Sequence, residues 1–507
     1  MITKDLLNYF LSLSIFLLFF AVILNFIFLF ITRNYSSQDF FKNDFILLFF
    51  KAIANLSLLL VCILQFFIFY FFFDFSLRIH NATLFFDILS YKSQAFFYGK
   101  IYEYNFSRGF LNYNYNLDSF GLVIQFVGII IGYLSYLVLD TRFFYKNVKY
   151  LSIFALFSIV VILFTTTNNM LFFFLFYELL LLPAFLLVYF LSQARRATQA
   201  SLYFVIWTQM GSFLVLCATA YVIALTGKYT FSEAYLFKFT QSEIYLIFFL
   251  YFFGFGFKVP IWPLHFWLTK THVEASAGFS MYLSGFLVKT ALYGFYKYTM
   301  IIGTGLNTTL FIVIAAVGIV DASIKMFSQV DLKKLVAFCT VQEMNMIYMM
   351  LCWGDSTGCI SAILFIITHS FLSALMFFLV DCIQRRYNSR STLEISGLIH
   401  ITPNLGIAIF TMCMLYCGMP GTMKFTCEFF IFSQIIGISF LLSITLLFFA
   451  NFIGVVGFCR CWFNILFGMS IKLSKLKIID LNSKELFIIL ACILFLIIFC
   501  YMPSFFF

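Results

Sequence analysis

The sequence of 507 residues is 63% hydrophobic and only 10% charged, with a mean hydropathy of +1.03 and a net charge of +10. Soluble domains carry about 25% charged residues, so this composition excludes a soluble globular fold, a disordered chain and a secreted disulfide-rich domain. We therefore expect an all-α, polytopic membrane protein. The 78 Phe residues are typical of A+T-rich coding and indicate an organellar genome.

Apolar runs long enough to cross about 30 Å of hydrocarbon predict about 14 transmembrane spans, numbered here in chain order. Only one connector is long, from Asp74 to Asp118, and it is too short to form a separate catalytic domain. The chemistry of the protein is therefore expected inside the membrane. The approximate limits of the spans are 6–32, 45–73, 119–139, 150–167, 169–192, 202–226, 244–262, 276–300, 306–328, 333–353, 357–382, 402–432, 435–463 and 485–505.

Lys and Arg residues divide unequally between alternate connectors of this arrangement. One set of connectors holds 20 of them, including Arg195, Arg196 and Lys334, whereas the other set holds 8, including Lys228 and Lys238. Positively charged connectors face the bacterial cytoplasm or the organelle matrix. The bias predicts that both termini lie on the opposite, less positive side.

Five ionisable residues lie within or beside apolar runs, where a charge is costly unless it is paired or hydrated. Each of them alone is compatible with a satisfied helix interface. Together, on five separate spans, they favour a hydrated polar line through the bundle. Such lines serve as proton relays, because burial brings the pKa values of lysine and carboxyl groups toward the working pH. The five residues are Glu178, Lys258, Lys289, His369 and Glu428.

Two spans are interrupted by Gly and Pro, from Gly254 to Pro263 in span 7 and from Gly418 to Gly421 in span 12. Pro leaves backbone groups that must find partners elsewhere. Spans 4–8 and 9–13 then form two five-span units, the second inverted because five is odd. Interrupted helices at matching places of inverted repeats are typical of ion-transport sites. The predicted organisation is 1–118 (spans 1 and 2 and the long outer connector), 119–149 (span 3), 150–300 (first repeat), 301–463 (second repeat) and 464–507 (C-terminal connector and last span).

The most specific pattern begins at the first interruption, with Lys258-Val-Pro-Ile-Trp-Pro-Leu-His-Phe-Trp-Leu-Thr-Lys-Thr-His-Val-Glu-Ala275. It is followed by Leu287-Val-Lys-Thr-Ala-Leu-Tyr-Gly294, and later by Thr368-His-Ser370 and Met419-Pro-Gly-Thr-Met-Lys-Phe425. In this order the motifs resemble the subunit 4 family of the antiporter-like membrane subunits of respiratory NADH:ubiquinone oxidoreductase (complex I). The His-Val-Glu-Ala string distinguishes subunit 4 from the sister subunits 2 and 5.

The resemblance implies a proton-translocating module. The residue matching Glu178 pairs in that family with the residue matching Lys258 and modulates it. Lys289, His369 and Glu428 match the central relay, and His265 is a further candidate from the same motif.

The chain also departs from the family pattern. Thr269 and Ser276 stand where the family usually has Pro. The family's Ser-x-Ser-His-Met is Thr340-Val-Gln-Glu343-Met here, so an acid replaces a relay His. Two interpretations stay open: Glu343 passes protons in place of the His, or it locks a neighbouring Lys in a salt bridge.

The resemblance implies that this chain binds no cofactor or metal, with NADH, FMN, iron–sulfur clusters and ubiquinone elsewhere in the complex. Expected partners are lipids and the other membrane-arm subunits, including the antiporter-like subunits 2 and 5, and no nucleic acid. The expected location is the mitochondrial inner membrane, with both termini on the intermembrane-space side. The alternative is a subunit of a cation/proton antiporter, which shares the fold and most of the charged residues.

Overall fold

The structure is a computed structural model that describes residues 10–23, 53, 55–68, 118–138, 144–191, 197–303, 307–354, 356–468 and 479–501. The predicted connector from Asp74 to Asp118 lies outside these residues, apart from Asp118 itself. Within them the chain is helical, and its only extended pairings are two isolated bridges, Asn169 with Thr230 and Asp331 with Ser391. The prediction of an all-α chain is confirmed.

Two of the helices in the described part of the chain continue directly from π-helical turns, Leu283–Leu287 and Phe448–Gly454. They are α1 (Phe10–Ile23), α2 (Asn55–Ile68), α3 (Ser119–Leu137), α4 (Phe144–Thr166), α5 (Met170–Leu179), α6 (Leu181–Leu191), α7 (Ala197–Thr226), α8 (Phe231–Ala234), α9 (Gln241–Lys258), α10 (Phe266–Glu274), α11 (Ala277–Tyr282), α12 (Val288–Ile302), α13 (Thr309–Phe327), α14 (Leu332–Trp353), α15 (Ser356–Tyr387), α16 (Leu398–Ile401), α17 (Pro403–Tyr416), α18 (Met423–Ile438), α19 (Phe440–Leu447), α20 (Val455–Phe467) and α21 (Ser483–Tyr501).

Seven helical stretches in the described part of the chain are long and apolar enough to cross a membrane. Shorter apolar helices of 10–17 residues, such as α1 and α17, accompany them. The chain is therefore a multi-pass membrane protein, as predicted. The seven stretches are Ser119–Leu137, Met170–Tyr189, Thr198–Thr226, Thr309–Phe327, Leu332–Trp353, Gly358–Tyr387 and Phe440–Phe467.

The first of two compact units comprises Met1–Leu191 and Lys228–Glu233. In it α3 packs on α4, and α4 packs on α5 and α6. The buried amide of Gln125 on α3 donates to Gln65 Oε1 on α2 over 2.9 Å, and its oxygen accepts from Thr165 on α4 over 3.1 Å. Such side-chain hydrogen bonds join apolar helices in a lipid environment, where helix association has no hydrophobic driving force.

The second unit comprises Ser192–Gly227 and Ala234–Phe507, and it contains most of the candidate site. Helices α14 and α15 are almost wholly buried, whereas α7 and α19 present exposed apolar side chains such as Phe213 and Leu441, which suits contact with lipid. Helices α7 and α9 approach closely at two glycines: a Cβ on Gly211 would lie 2.5 Å from the carbonyl oxygen of Gly254. Glycine is therefore required for this contact.

Candidate functional site

The first interruption begins at Lys258, the last residue of α9, whose side chain is buried. Polar groups from other parts of the second unit bind the backbone around it. Trp267 Nε1 donates to the Phe257 carbonyl over 2.7 Å, Asn345 Nδ2 to the Pro260 carbonyl over 3.3 Å, and the Tyr348 hydroxyl to the Phe252 carbonyl over 2.8 Å. Side-chain donors thus satisfy these three carbonyls, as the membrane interior requires of backbone polar groups.

Lys289 lies just after the first π-helical turn, at the start of α12, and is completely buried. Its ammonium donates to the carbonyl of Ser284, five residues earlier. The π-helical turn brings this carbonyl within reach, and such turns are frequent at functional sites. Lys289 Nζ also lies 2.6 Å from Nδ1 of His369 on α15.

Glu343 continues the line from His369. His369 Nε2 lies 3.7 Å from Glu343 Oε2 on α14, and neither atom has a hydrogen-bond partner among the described residues. Both side chains are at most 2% exposed. A shift of a few tenths of an ångström would complete a hydrogen bond between them.

Lys424 on α18 follows Glu343. Its Nζ lies 2.7 Å from Glu343 Oε1 and 3.6 Å from Glu428 Oε1, which is one turn further along α18. The ammonium also lies 3.6 Å from the centre of the Tyr416 ring, a cation–π contact. Two carboxylates and an aromatic face therefore surround one buried cation.

Glu428 ends the line that the described residues form. Asn451, in the second π-helical turn, donates its Nδ2 to Glu428 Oε2 over 3.3 Å. The carboxylate packs under the second interruption, because a Cβ on Gly418 would lie 3.1 Å from Glu428 Oε2. Gly418 has a φ of +67°, a left-handed conformation that favours glycine.

The structure thus brings Lys289, His369, Glu343 and Glu428 into one line, in which Lys424 is an added member. Each of these side chains can bind or release a proton or hold a counter-charge, and successive members lie between 2.6 and 3.7 Å apart. The line draws on α12, α15, α14 and α18, four helices of the second unit. A buried series of this kind has the chemistry of a proton relay.

The other predicted residues lie elsewhere. His265 Nε2 is 3.1 Å from Lys325 Nζ and 3.5 Å from Asp321 Oδ2, so His265 belongs to a separate cluster at the end of α13. Glu178 lies half-buried on α5 in the first unit. Its predicted pairing with Lys258 of the second unit stays a prediction.

Sequence reasoning did not select Lys424, Asn451 or His272 as site residues. Lys424 carried a usable signal, since it precedes Glu428 by four residues and so shares its helix face. Asn451 lies in an apolar run with no charge beside it. His272 is completely buried, stacks on Phe377 with ring centroids 4.5 Å apart, and has no hydrogen bond to its ring nitrogens from the described residues.

In the described ranges, no group of three or more His, Cys, Asp or Glu side chains is arranged to hold a metal ion. None of the 12 cysteines whose side chains the structure describes forms a disulfide.

Residues 167–454 match the family model described as "NADH:quinone oxidoreductase/Mrp antiporter, TM". The sequence is 40% identical to "NADH-ubiquinone oxidoreductase chain 4" of Paramecium tetraurelia over 460 residues, which are 91% of this chain and 95% of the relative. The matched family segment contains every member of the line from Lys289 to Glu428, and also Asn451.

Two solved structures share the fold. A chain of respiratory complex I from Thermus thermophilus matches with a TM-score of 0.76 and 17% identity, covering 97% of this chain and 96% of its own length. A chain of the membrane-bound sulfane sulfur reductase, an archaeal respiratory membrane complex, matches with a TM-score of 0.74 and 16% identity, covering 98% and 95%.

Proposed function

Because the chain belongs to the NADH-ubiquinone oxidoreductase chain 4 family, we propose that it translocates protons in the membrane arm of that complex. The chain is a membrane subunit of NADH:ubiquinone oxidoreductase, in which NADH oxidation and ubiquinone reduction are coupled to proton pumping. One observation carries the proposal for this chain: the buried line from Lys289 through His369, Glu343 and Lys424 to Glu428.

The individual roles follow from protonation chemistry. Lys289 and His369 are in direct contact and exchange a proton, and Glu428 is the last proton-binding group before the exit. Glu343 takes the place of a relay His. Glu178 pairs with Lys258 and sets its proton affinity when the complex cycles, and His265 helps to supply protons to the line.

The architecture proposed for this function is the 14-span arrangement, with two inverted five-span repeats in spans 4–8 and 9–13. Domain limits at 118, 149, 300 and 463 separate the two repeats from the flanking spans. The interruptions in spans 7 and 12 hold equivalent places in the repeats. The end of α9 at Lys258 and of α17 at Tyr416 supports this assignment.

We propose that the protein lies in the mitochondrial inner membrane, with both termini on the intermembrane-space side. Its partners are lipids and the other subunits of the complex, including the antiporter-like subunits 2 and 5. Nucleic acid is not among the proposed partners. Other subunits bind NADH, FMN, the iron–sulfur clusters and ubiquinone. This chain contributes the ionisable side chains of the proton path.

A subunit of a cation/proton antiporter is the second candidate, since the matched family model covers Mrp antiporters as well. Native electrophoresis of solubilised membranes separates the two. The complex I subunit co-migrates with a large band that stains for NADH dehydrogenase activity, whereas the antiporter subunit migrates in a smaller band without that activity.

Proton pumping by the intact complex in sealed liposomes then tests the line itself. His369→Gln removes a proton-exchanging ring, so we expect the rate of NADH-driven proton uptake to fall by about 100-fold while the complex still assembles. His400→Gln is the matched control, because His400 is exposed on α16. Equal pumping by the two variants would contradict the proposed path.

A further inference from the structure

Lys424 stands between two acids that belong to the same line. Its ammonium lies 2.7 Å from Glu343 Oε1 and 3.6 Å from Glu428 Oε1, with 4% of the side chain exposed. We propose that Lys424 is a positioning residue for proton transfer: a fixed cation shared by Glu343 and Glu428, which allows an acid to occupy the middle of the path. This inference rests on the proposed function, because it assigns a role within that relay.

The need for such a cation follows from the chemistry of paired carboxylates. Two carboxyl groups that share a buried site repel each other when both are ionised, so without a counter-charge one of them holds its proton tightly. A tightly held proton is released slowly, so a relay that includes such a pair without a counter-charge is slow. One ammonium between them removes the constraint, since it pairs with whichever carboxylate is ionised while the other carries the proton.

The surroundings of Lys424 favour a cation that keeps its protons. Two opposite charges stabilise the ammonium, and the Tyr416 ring face, 3.6 Å from Nζ, attracts the cation without accepting a proton. The Tyr416 hydroxyl donates to Gln342 Oε1 over 3.3 Å, and Gln342 Nε2 donates to the Ala450 carbonyl over 3.2 Å, so the ring is held in place. Protons bind and leave at Glu343 and Glu428, and Lys424 provides a constant charge.

The acid and the cation are therefore a matched pair of residues. An imidazole in place of Glu343 would leave Glu428 as the only carboxyl group in this part of the line, and no like-charge pair would remain. Lys424 would then be dispensable. Its importance thus depends on the residue at position 343, a dependence that a general structural role does not predict.

The test uses the complete complex in sealed liposomes, with NADH-driven proton uptake and native electrophoresis measured for each variant. Lys424→Gln is expected to lower the rate of proton uptake by at least about tenfold. Lys424→Arg is expected to retain proton uptake, because the guanidinium keeps its charge and does not release a proton. Adding Glu343→His to Lys424→Gln is expected to raise the rate of proton uptake about tenfold above that of Lys424→Gln alone, because no like-charge pair then remains.

Each outcome supports or contradicts the proposed role of Lys424. Normal pumping by Lys424→Gln, or an assembled Lys424→Arg that does not pump, would overturn the inference. If a single variant does not assemble, the double variant decides: pumping supports the matched pair, and failure overturns it. His369→Gln separates this test from that of the proposed function. Normal pumping by His369→Gln would contradict the whole proposed path. If His369→Gln stops pumping while Lys424→Gln pumps normally, only the role of Lys424 is contradicted.

Discussion

Glu343 is the residue at which the chain departs most from the relay pattern it resembles, and its contacts bear on both interpretations left open by the sequence. Its carboxylate pairs with Lys424 on one side and faces His369 on the other, 2.7 and 3.7 Å away. The salt bridge therefore involves Lys424, and Lys289 is in contact with His369. In the proposed path, Glu343 lies between His369 and Lys424, where a proton-exchanging group is expected.

Glu343→His is accordingly expected to retain proton pumping within about twofold, because imidazole accepts and donates protons at this place and Lys424 keeps Glu428 as a partner. Glu343→Gln is the matched control, since its amide has similar size and cannot exchange a proton. Proton uptake by the complex in liposomes measures both. Loss of pumping by Glu343→His in a normally assembled complex would show that Glu343 does not replace a relay His.

The ionisable residues of this site could be found from the sequence, whereas their partners could not. Lys289 and His369 stand out because each is an ionisable residue inside a long, mainly apolar run. Their contact joins residues 80 positions apart, and that of Glu343 with Lys424 joins residues 81 apart. Sequence spacing places residues on one face of one helix, so it reveals pairs such as Lys424 and Glu428 but not pairs between helices.

At the scale of elements, the interruption after Lys258 is stabilised by a side-chain hydrogen-bond donor whose role could not be recognised from the sequence motif. Trp267 belongs to the string that carries the family resemblance, and its indole nitrogen donates to the Phe257 carbonyl over 2.7 Å. The π-helical turn before Lys289 was equally unpredictable, because it differs from an α-helix in hydrogen-bond register and not in composition. Long apolar runs reveal where helices lie, and local backbone departures depend on tertiary partners.

Trp267→Phe is expected to destabilise the subunit by about 1–3 kcal/mol, because the buried Phe257 carbonyl loses its indole donor. Trp462→Phe is the control: Trp462 is also fully buried, and its Nε1 has no hydrogen-bond partner among the described residues. Thermal denaturation of the purified complex compares them. A similar loss of stability in both variants would mean that ring size, and not the hydrogen bond, accounts for the effect.

At the scale of the whole molecule, the arrangement of spans makes a prediction about two exposed lysines of the second unit. Lys238 precedes α9 and Lys334 lies at the start of α14, and both side chains are exposed. Predicted spans 7, 8 and 9 separate them, so an odd number of crossings places them on opposite sides. The positive-inside bias assigns Lys334 to the matrix side and Lys238 to the intermembrane-space side.

A membrane-impermeant, amine-reactive reagent applied to sealed mitoplasts tests this without any substitution. We expect mass spectrometry to find Lys238 modified in sealed mitoplasts and Lys334 modified only after the inner membrane has been opened. Each lysine is the other's control, since both are exposed in the same unit. Modification of Lys334 alone in sealed mitoplasts would show that the predicted orientation is reversed. Equal modification of both lysines would show that an even number of spans separates them, and would refute the pair of inverted five-span repeats.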